Sequence, residues 1–226
     1  MLTRGEGVEL SPAEIEALDA RWANHWTPSE AAEHLAGVAA PWCVAAGWAL
    51  DLFRGRGTPR RQSRPHGDLE IAIPAEAFPE IRDRLVRDRF PDYVFDTVDS
   101  GRLWEDAADE VIAATHQTWL RDPSTGDYVL DVFREPHEGD TWVFRHNPSI
   151  RLPYRDLIRT SEDGIPYLAP EFVLLFKAKH ARPKDQVDFD ATLPHLSPAQ
   201  RETLADLLAR TYPEHAWLER LAYVAS

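Results

Sequence analysis

Two carboxylates stand two residues apart in the stretch RPHGDLEIAI, at Asp68 and Glu70. The apolar residues between and after them predict a β-strand over 68–73. Because side chains two residues apart share one face of a strand, these carboxylates would lie roughly 7 Å apart along the chain. A like-charged pair of this kind is found on solvated edge strands, where it discourages aggregation, or in a site that binds a cation.

A third carboxylate, Asp131, lies in YVLDVFRE. Both faces of this segment are apolar, which indicates a buried central strand, and a lone buried carboxylate is costly unless it is paired or bound to a metal. A satisfied structural aspartate or an early strand end would also account for it. Together with Asp68 and Glu70, it forms the candidate catalytic and metal-binding set. Such a set can hold Mg²⁺ on a triphosphate, or two metals about 4 Å apart for phosphoryl chemistry.

A candidate phosphate site lies upstream, in AAGWALDLF. The apolar run 41–47 predicts a buried strand that ends at Gly47 and enters a helix over 48–55. Backbone N–H groups at a helix N-terminus bind phosphate, and a glycine lets the phosphate approach closely. A tight strand-to-helix turn would explain the same glycine without any ligand.

The remaining patterns predict the elements that position these residues. Capped helices begin at Ser11 and Thr27, and helical spacing continues over 75–90. The predicted strands are 92–98, a hairpin over 116–135, 141–146 and a second small hairpin within 149–170. After Pro170 the pattern is helical to the end. We therefore expect an α+β fold, a mixed sheet flanked by helices and followed by a helical C-terminal region, with domains over 1–150 and 151–226.

Composition narrows the partners. The chain has 226 residues with 38 acidic and 25 basic side chains, and its formal net charge is -13. This balance argues against a broad nucleic-acid surface and suits a small, cationic substrate. The chain has a single cysteine, Cys43, which fits a reducing compartment. Its first residues lack the apolar core of a signal peptide, and no apolar run is long enough to span a membrane. A cytoplasmic protein without a membrane partner is expected.

Residues 46–73, AGWALDLFRGRGTPRRQSRPHGDLEIAI, resemble the active-site region of the DNA polymerase β-like nucleotidyltransferases. They are most similar to the aminoglycoside and lincosamide adenylyltransferases, whose motif runs Gly-Gly-Trp, then Asp, then Thr-Arg-x-His-x-Asp-x-Asp/Glu. The residues that match the motif are Gly47, Trp48, Asp51, Arg64, His66, Asp68 and Glu70. Two departures stand out: Ala46 replaces the first glycine, and the loop before Arg64 is several residues longer than usual.

The resemblance implies transfer of a nucleoside monophosphate, usually from ATP, to a hydroxyl group, with pyrophosphate leaving. Asp68 and Glu70 would hold Mg²⁺, and Asp131 would complete a second metal site or act as the base. Gly47, Trp48 and Arg64 would bind the nucleotide, helped by a basic loop. The arginines of this loop are Arg54, Arg56, Arg60, Arg61 and Arg64.

Two lysines near the C-terminus extend the candidate nucleotide site. KAKHARPKDQVDFD resembles a Lys-Asp-x-x-Asp-Phe helix that packs behind the cleft in nucleotidyltransferases of this broad type. Lys177 and Lys184 would reach the triphosphate, although an exposed charged helix face would also explain them. The acceptor is expected to be a small molecule, plausibly an aminoglycoside-like antibiotic. A toxin-type enzyme that modifies tRNA or protein and a non-catalytic nucleotide-binding relative are the alternatives.

Overall fold

The computed structural model describes residues 7–55, 57 and 62–223. Its strands are β1 (Val8–Glu9), β2 (Cys43–Val44), β3 (Glu70–Pro74), β4 (Val94–Asp99), β5 (Arg102–Trp104), β6 (Gln117–Arg121), β7 (Tyr128–Glu135), β8 (His137–Glu138), β9 (Thr141–Val143), β10 (Arg151–Pro153), β11 (Ile158–Thr160) and β12 (Pro166–Leu168). Its helices are α1 (Pro12–Ala20), α2 (Pro28–His34), α3 (Ala46–Phe53), α4 (Phe78–Arg82), α5 (Asp109–Ala114), α6 (Tyr154–Leu157), α7 (Pro170–Ala178), α8 (Pro183–Thr192), α9 (Pro198–Thr211) and α10 (Trp217–Tyr223). The expected α+β class is confirmed.

The chain packs into two compact units. One comprises the residues up to Trp42 together with Pro65–Pro136, and the other comprises Cys43–Arg64 together with the residues from His137 onward. The domain limits expected from the sequence, 1–150 and 151–226, stay a prediction.

The first unit is built on a mixed sheet. Its strand order is β1-β5-β4-β6-β7-β3, in which β3 and β7 are parallel and the other neighbours are antiparallel. The predicted hairpin over 116–135 is confirmed as β6 and β7, which pair antiparallel with a register shift between Leu120 and Arg121. Leu69, Ile71 and Ile73 are each at most 1% exposed, so the alternation read from the sequence does bury one face of this segment.

Local sequence signals set the helix starts in this unit. Ser11 with Glu14 and Thr27 with Glu30 form capping boxes at α1 and α2, as their spacing predicts. The helical stretch predicted over 75–90 is confirmed as a 3₁₀ turn, α4 and a π-helical turn at Asp83–Arg87. The strand predicted over 68–73 begins two residues later, at Glu70, so Asp68 lies just before it.

The second unit is mainly helical after residue 170. Its strands pair as β2 with β12 in parallel, β12 with β11 antiparallel, and β8, β9 and β10 as a separate antiparallel sheet. The helical pattern predicted beyond Pro170 is confirmed as α7 to α10. Phe189 of α8 and Trp217 of α10 stack with ring centroids 4.1 Å apart in the core of this unit. None of the described helices is both long and apolar enough to cross a membrane.

Candidate metal centre

The centre is positioned by the parallel pairing of β3 with β7. Glu70 is the register partner of Asp131, and the backbone N–H of Asp131 donates a 2.9 Å hydrogen bond to the carbonyl of Leu69. Register partners in adjacent strands present their side chains on the same face of a sheet. The Glu70 and Asp131 carboxylates therefore lie side by side. Asp68, two residues before the start of β3, belongs to the same cluster.

These three carboxylates, Asp68, Glu70 and Asp131, form a compact cluster that we call the triad. One oxygen from each residue lies within 4.8 Å of the others. Asp131 is 2% exposed, whereas Asp68 and Glu70 are half-buried. The cluster that the sequence predicted is thus assembled, with one carboxylate in the protein interior and two toward its surface.

The two oxygens of Asp131 have different surroundings. Its Oδ2 accepts a 2.6 Å hydrogen bond from Nε2 of Gln117, whereas its Oδ1 is buried and has no hydrogen-bond partner among the described residues. Burial raises the pKa of Asp131 well above its usual value, and the charges of Glu70 and Asp68 raise it further. The hydrogen bond from Gln117 lowers this pKa, and so does the nearby indole N–H of Trp119, which has no hydrogen-bond partner within the described part of the chain.

A divalent cation fits this donor set. Carboxylate oxygens are the ligands that Mg²⁺ prefers, and a cation would offset the repulsion that raises the pKa of Asp131. The unpartnered Oδ1 of Asp131 is a ligand atom without another task, since a buried carboxylate oxygen is normally satisfied by a donor or a metal. The residues present therefore fit a Mg²⁺ site.

Two neighbours of the triad, Gln117 and His25, have no recognisable signal in the sequence. Gln117 lies on β6 and is recognisable only once the register of β6 with β7 is known. His25 is near enough to Asp68 for their charges to interact. Its neighbour Trp26 donates a 2.9 Å hydrogen bond from its backbone N–H to the carbonyl of Val129 in β7. Burial lowers the pKa of His25, and the charge of Asp68 partly opposes this shift. No spacing signal links residue 25 to residue 68.

The nucleotide-binding candidates Gly47 and Trp48 lie in the first turn of α3, in the second unit. The helix begins at Ala46, two residues earlier than predicted, and Ala46 has a left-handed backbone with φ of 47°. Glycine adopts this conformation readily and alanine does not, which gives a physical reason for a glycine at this position of the motif. Trp48 is 1% exposed, so a nucleotide could meet its backbone N–H rather than its indole ring.

Arg64 and Lys177 take part in an ion-pair network of the second unit. Arg64 makes a bidentate contact with Asp188 through hydrogen bonds of 2.9 and 2.8 Å. Lys177 is 8% exposed, and its Nζ lies 3.1 Å from an oxygen of Asp185 and 2.8 Å from one of Asp188. Lys184, by contrast, is exposed. The phosphate-binding roles expected for these three cations stay predictions.

The basic loop is only partly described. Arg54 binds Asp51, a buried residue of α3, at 2.6 Å, and the backbone N–H of Ser63 also donates to Asp51. Asp51 therefore contacts both Arg54 and Ser63, one near each end of this loop. Arg56, Arg60 and Arg61 lie outside the described residues.

Comparison with known proteins gives structural likeness alone. No family model matches the sequence, and no curated protein is similar to it. The solution structure of antibiotic-resistance factor ANT(2'')-Ia is similar over 95% of this chain and 100% of its own, with 15% identity and a TM-score of 0.49. A crystal structure of ANT(2'')-Ia in complex with adenylyl-2''-tobramycin is similar over 88% of this chain and 92% of its own, with 14% identity and a TM-score of 0.41.

A more distant likeness is to the Megavirus polyadenylate synthase, over 95% of this chain and 38% of that protein, with 8% identity and a TM-score of 0.37. ANT(2'')-Ia is an aminoglycoside adenylyltransferase, the class that residues 46–73 resemble. Identities and TM-scores this low do not carry an activity or a substrate over to this chain.

Proposed function

We propose that this protein is a Mg²⁺-dependent nucleotidyltransferase that transfers a nucleoside monophosphate, AMP from ATP, to a hydroxyl group of a small molecule. The observation that carries the proposal is the triad of Asp68, Glu70 and Asp131, whose ligand oxygens lie within 4.8 Å of one another. An orphaned oxygen on its buried member supports a metal-binding role rather than a solvated acidic surface.

In this proposal Asp68 and Glu70 hold the metal from the half-exposed side, where a triphosphate can also reach it. Mg²⁺, when bound, neutralises phosphate charge and orients the triphosphate. Asp131 contributes Oδ1, either as a further ligand or as the acceptor of the proton from the attacking hydroxyl. Its burial keeps water from that oxygen, and in the metal-free protein burial raises the pKa of Asp131 above that of an exposed aspartate.

For the second unit taken by itself, we propose that the first turn of α3 binds phosphate. No side-chain hydrogen bond caps the start of α3, because Ala45 stands at the N-cap position. Backbone N–H groups at a helix start attract anions. Lys184 is exposed and would contribute charge, whereas Lys177 and Arg64 act first through their ion pairs with α8.

The acceptor we propose is small and cationic, such as an aminoglycoside-like amino sugar. The formal net charge of -13 favours association with a polycation and disfavours a nucleic acid. This choice separates the proposal from the two alternatives, a toxin-type enzyme that modifies tRNA or protein and a non-catalytic nucleotide binder.

A label-transfer assay tests the proposal. The purified protein is incubated with Mg²⁺ and ATP labelled at the α-phosphate, together with aminoglycosides, lincosamides or total tRNA. We expect label on a small molecule, release of pyrophosphate, and a loss of about 10²–10³-fold in rate on Glu70→Gln, the scale typical of removing one group that stabilises transition-state charge. Asp92→Asn, at an exposed position on the same unit, is the matched control and should change nothing.

Other outcomes decide against the proposal. Label on tRNA or on protein would establish the toxin-type alternative. Binding of a nucleotide without transfer to any acceptor, by a protein whose thermal stability rises with Mg²⁺ and ATP, would establish the non-catalytic one. Full activity in Glu70→Gln would show that the triad does not serve the reaction.

A further inference from the structure

Gln117 contacts the triad in a way that distinguishes the two oxygens of Asp131. Its Nε2 donates a 2.6 Å hydrogen bond to Oδ2 of Asp131, and Oδ1 keeps no partner among the described residues. A carboxylate held at one oxygen cannot rotate to exchange its two oxygens without breaking that bond. The hydrogen bond therefore fixes which oxygen of Asp131 is presented to the rest of the triad.

The position of Gln117 follows from the sheet register. Trp119 is the direct partner of Asp131 on β6, and Gln117 is the partner of Phe133, so Gln117 lies one diagonal step away on the same face. Diagonal neighbours across an antiparallel pair are about 7–8 Å apart, a gap that a long side chain spans. A glutamine at this place reaches the carboxylate, and a shorter amide would not.

The residue type also suits a positioning task. An amide donates a hydrogen bond but carries no charge, so it orients Asp131 without neutralising the negative charge that attracts a cation. A lysine or arginine here would compete with the metal, and a carboxylate would add to the repulsion within the triad. Partners that orient metal-binding carboxylates commonly change metal affinity about 10–100-fold when they are removed.

We propose that Gln117 is a positioning residue of the metal centre, which holds Oδ2 of Asp131 so that Oδ1 faces the cation. This inference rests on the proposed function, because it assumes that the triad binds a divalent metal. It assigns to Gln117 a task beyond satisfying a buried carboxylate, and the two roles differ in what they affect. A purely structural hydrogen bond would change stability alone, whereas a positioning bond changes metal affinity in a folded protein.

The test measures Mn²⁺ affinity of the nucleotide-free protein by the electron paramagnetic resonance signal of free Mn²⁺. Gln117→Met keeps the length of the side chain without its donor, and Gln117→Asn withdraws the amide by about 1.5 Å. We expect both variants to weaken Mn²⁺ binding about 10–100-fold. The matched control is Gln200→Met, because Gln200 donates a 3.0 Å hydrogen bond to another buried carboxylate, that of Glu171. Its Mn²⁺ affinity should be unchanged.

Each result decides a separate question. Wild-type affinity within about twofold in either folded Gln117 variant would overturn the positioning role and leave the metal centre intact. Equal weakening in Gln200→Met would overturn it as well, since the effect would then be a general loss of stability. Absence of Mn²⁺ binding by the wild-type protein would refute the proposed function itself. Steady-state kinetics gives a second readout: kcat should fall more than KM for the nucleotide rises.

Discussion

Asp131→Asn should make the metal-free protein more stable and abolish its response to Mg²⁺. The asparagine keeps the shape of the side chain, and its carbonyl can still accept the hydrogen bond that Nε2 of Gln117 now gives to Oδ2. Its NH₂ group takes the place of the unpartnered Oδ1, so a neutral donor replaces one of the three negative charges of the triad. The repulsion that Asp131 contributes to the triad is thus removed.

The magnitude follows from the geometry of the triad. The ligand oxygens of the triad lie no more than 4.8 Å apart, and two unit charges at that limit repel by about 3.5 kcal/mol at an effective dielectric constant of about 20. Because burial and the neighbouring charges raise the pKa of Asp131, part of this repulsion is already relieved by protonation. We therefore expect a gain of about 1–2 kcal/mol in the free energy of unfolding, or roughly 2–8 °C in Tm for a chain of this size.

Thermal denaturation with and without Mg²⁺ is the assay. At about one hundred times its Kd, Mg²⁺ should stabilise the wild-type protein by about 2.7 kcal/mol and leave Asp131→Asn almost unchanged. Asp96→Asn is the matched control. Asp96 of β4 pairs with Trp119 of β6, which in turn pairs with Asp131, and both aspartates are buried. Unlike Asp131, Asp96 forms an ion pair with Arg121 at 2.6 Å and accepts a 3.0 Å hydrogen bond from the hydroxyl of Tyr128.

The two aspartates should therefore respond with opposite signs. Asp96→Asn breaks a satisfied ion pair and should lower the free energy of unfolding by about 3 kcal/mol, with the Mg²⁺ response intact. A loss of stability in metal-free Asp131→Asn comparable to that of Asp96→Asn would refute the repulsion argument. A normal Mg²⁺ response in Asp131→Asn would refute the assignment of this residue as a ligand.

Two further predictions concern the second unit, and both are measured by urea or thermal denaturation. Ala46→Gly should raise the free energy of unfolding by about 1 kcal/mol, because it removes an alanine from the left-handed backbone region. Ala49→Gly, in the interior of α3, should lower the free energy of unfolding by about 1 kcal/mol. If both variants changed the free energy of unfolding in the same direction, residue 46 would not be strained. Lys177→Met should lower the free energy of unfolding by about 3 kcal/mol, since the substitution leaves two buried carboxylates of α8 with one cation fewer. Lys184→Met, at an exposed position, should change the free energy of unfolding by less than about 0.5 kcal/mol. Although burial opposes it, hydrogen bonds and neighbouring cations hold the pKa of both α8 carboxyls below the usual value. The stability that these ion pairs contribute is therefore present above about pH 4 and is lost as the pH falls below it. The loss of stability caused by Lys177→Met should accordingly be smaller in acid. A loss of the same size at all pH values would contradict the ion pairing.

The sequence was sufficient to predict the elements whose signals are local. The capping boxes at Ser11 and Thr27, the hairpin over 116–135 and the helices after Pro170 all depend on neighbouring residues, and all are present. The joint placement of Asp68, Glu70 and Asp131 could also be expected, since a carboxylate within an apolar strand is costly unless a partner or a metal compensates its charge.

What the sequence could not provide depends on contacts between distant residues. Gln117 faces Asp131 because of the register between two strands, and His25 is near enough to Asp68 for their charges to interact. Lys177 was expected to reach phosphate, but its position beside Asp185 and Asp188 follows from the packing of α7 against α8. Charge alone cannot show whether a lysine has an internal partner or awaits a ligand.

The central claim is that the triad is a divalent-metal site, and anomalous diffraction from crystals soaked with Mn²⁺ and a non-hydrolysable ATP analogue tests it most directly. We predict an anomalous peak within about 2.2 Å of Oδ1 of Asp131 and of one oxygen from each of Asp68 and Glu70, with phosphate oxygens completing the coordination. A nucleotide bound elsewhere, or a well-ordered triad with no peak beside it, would contradict the account.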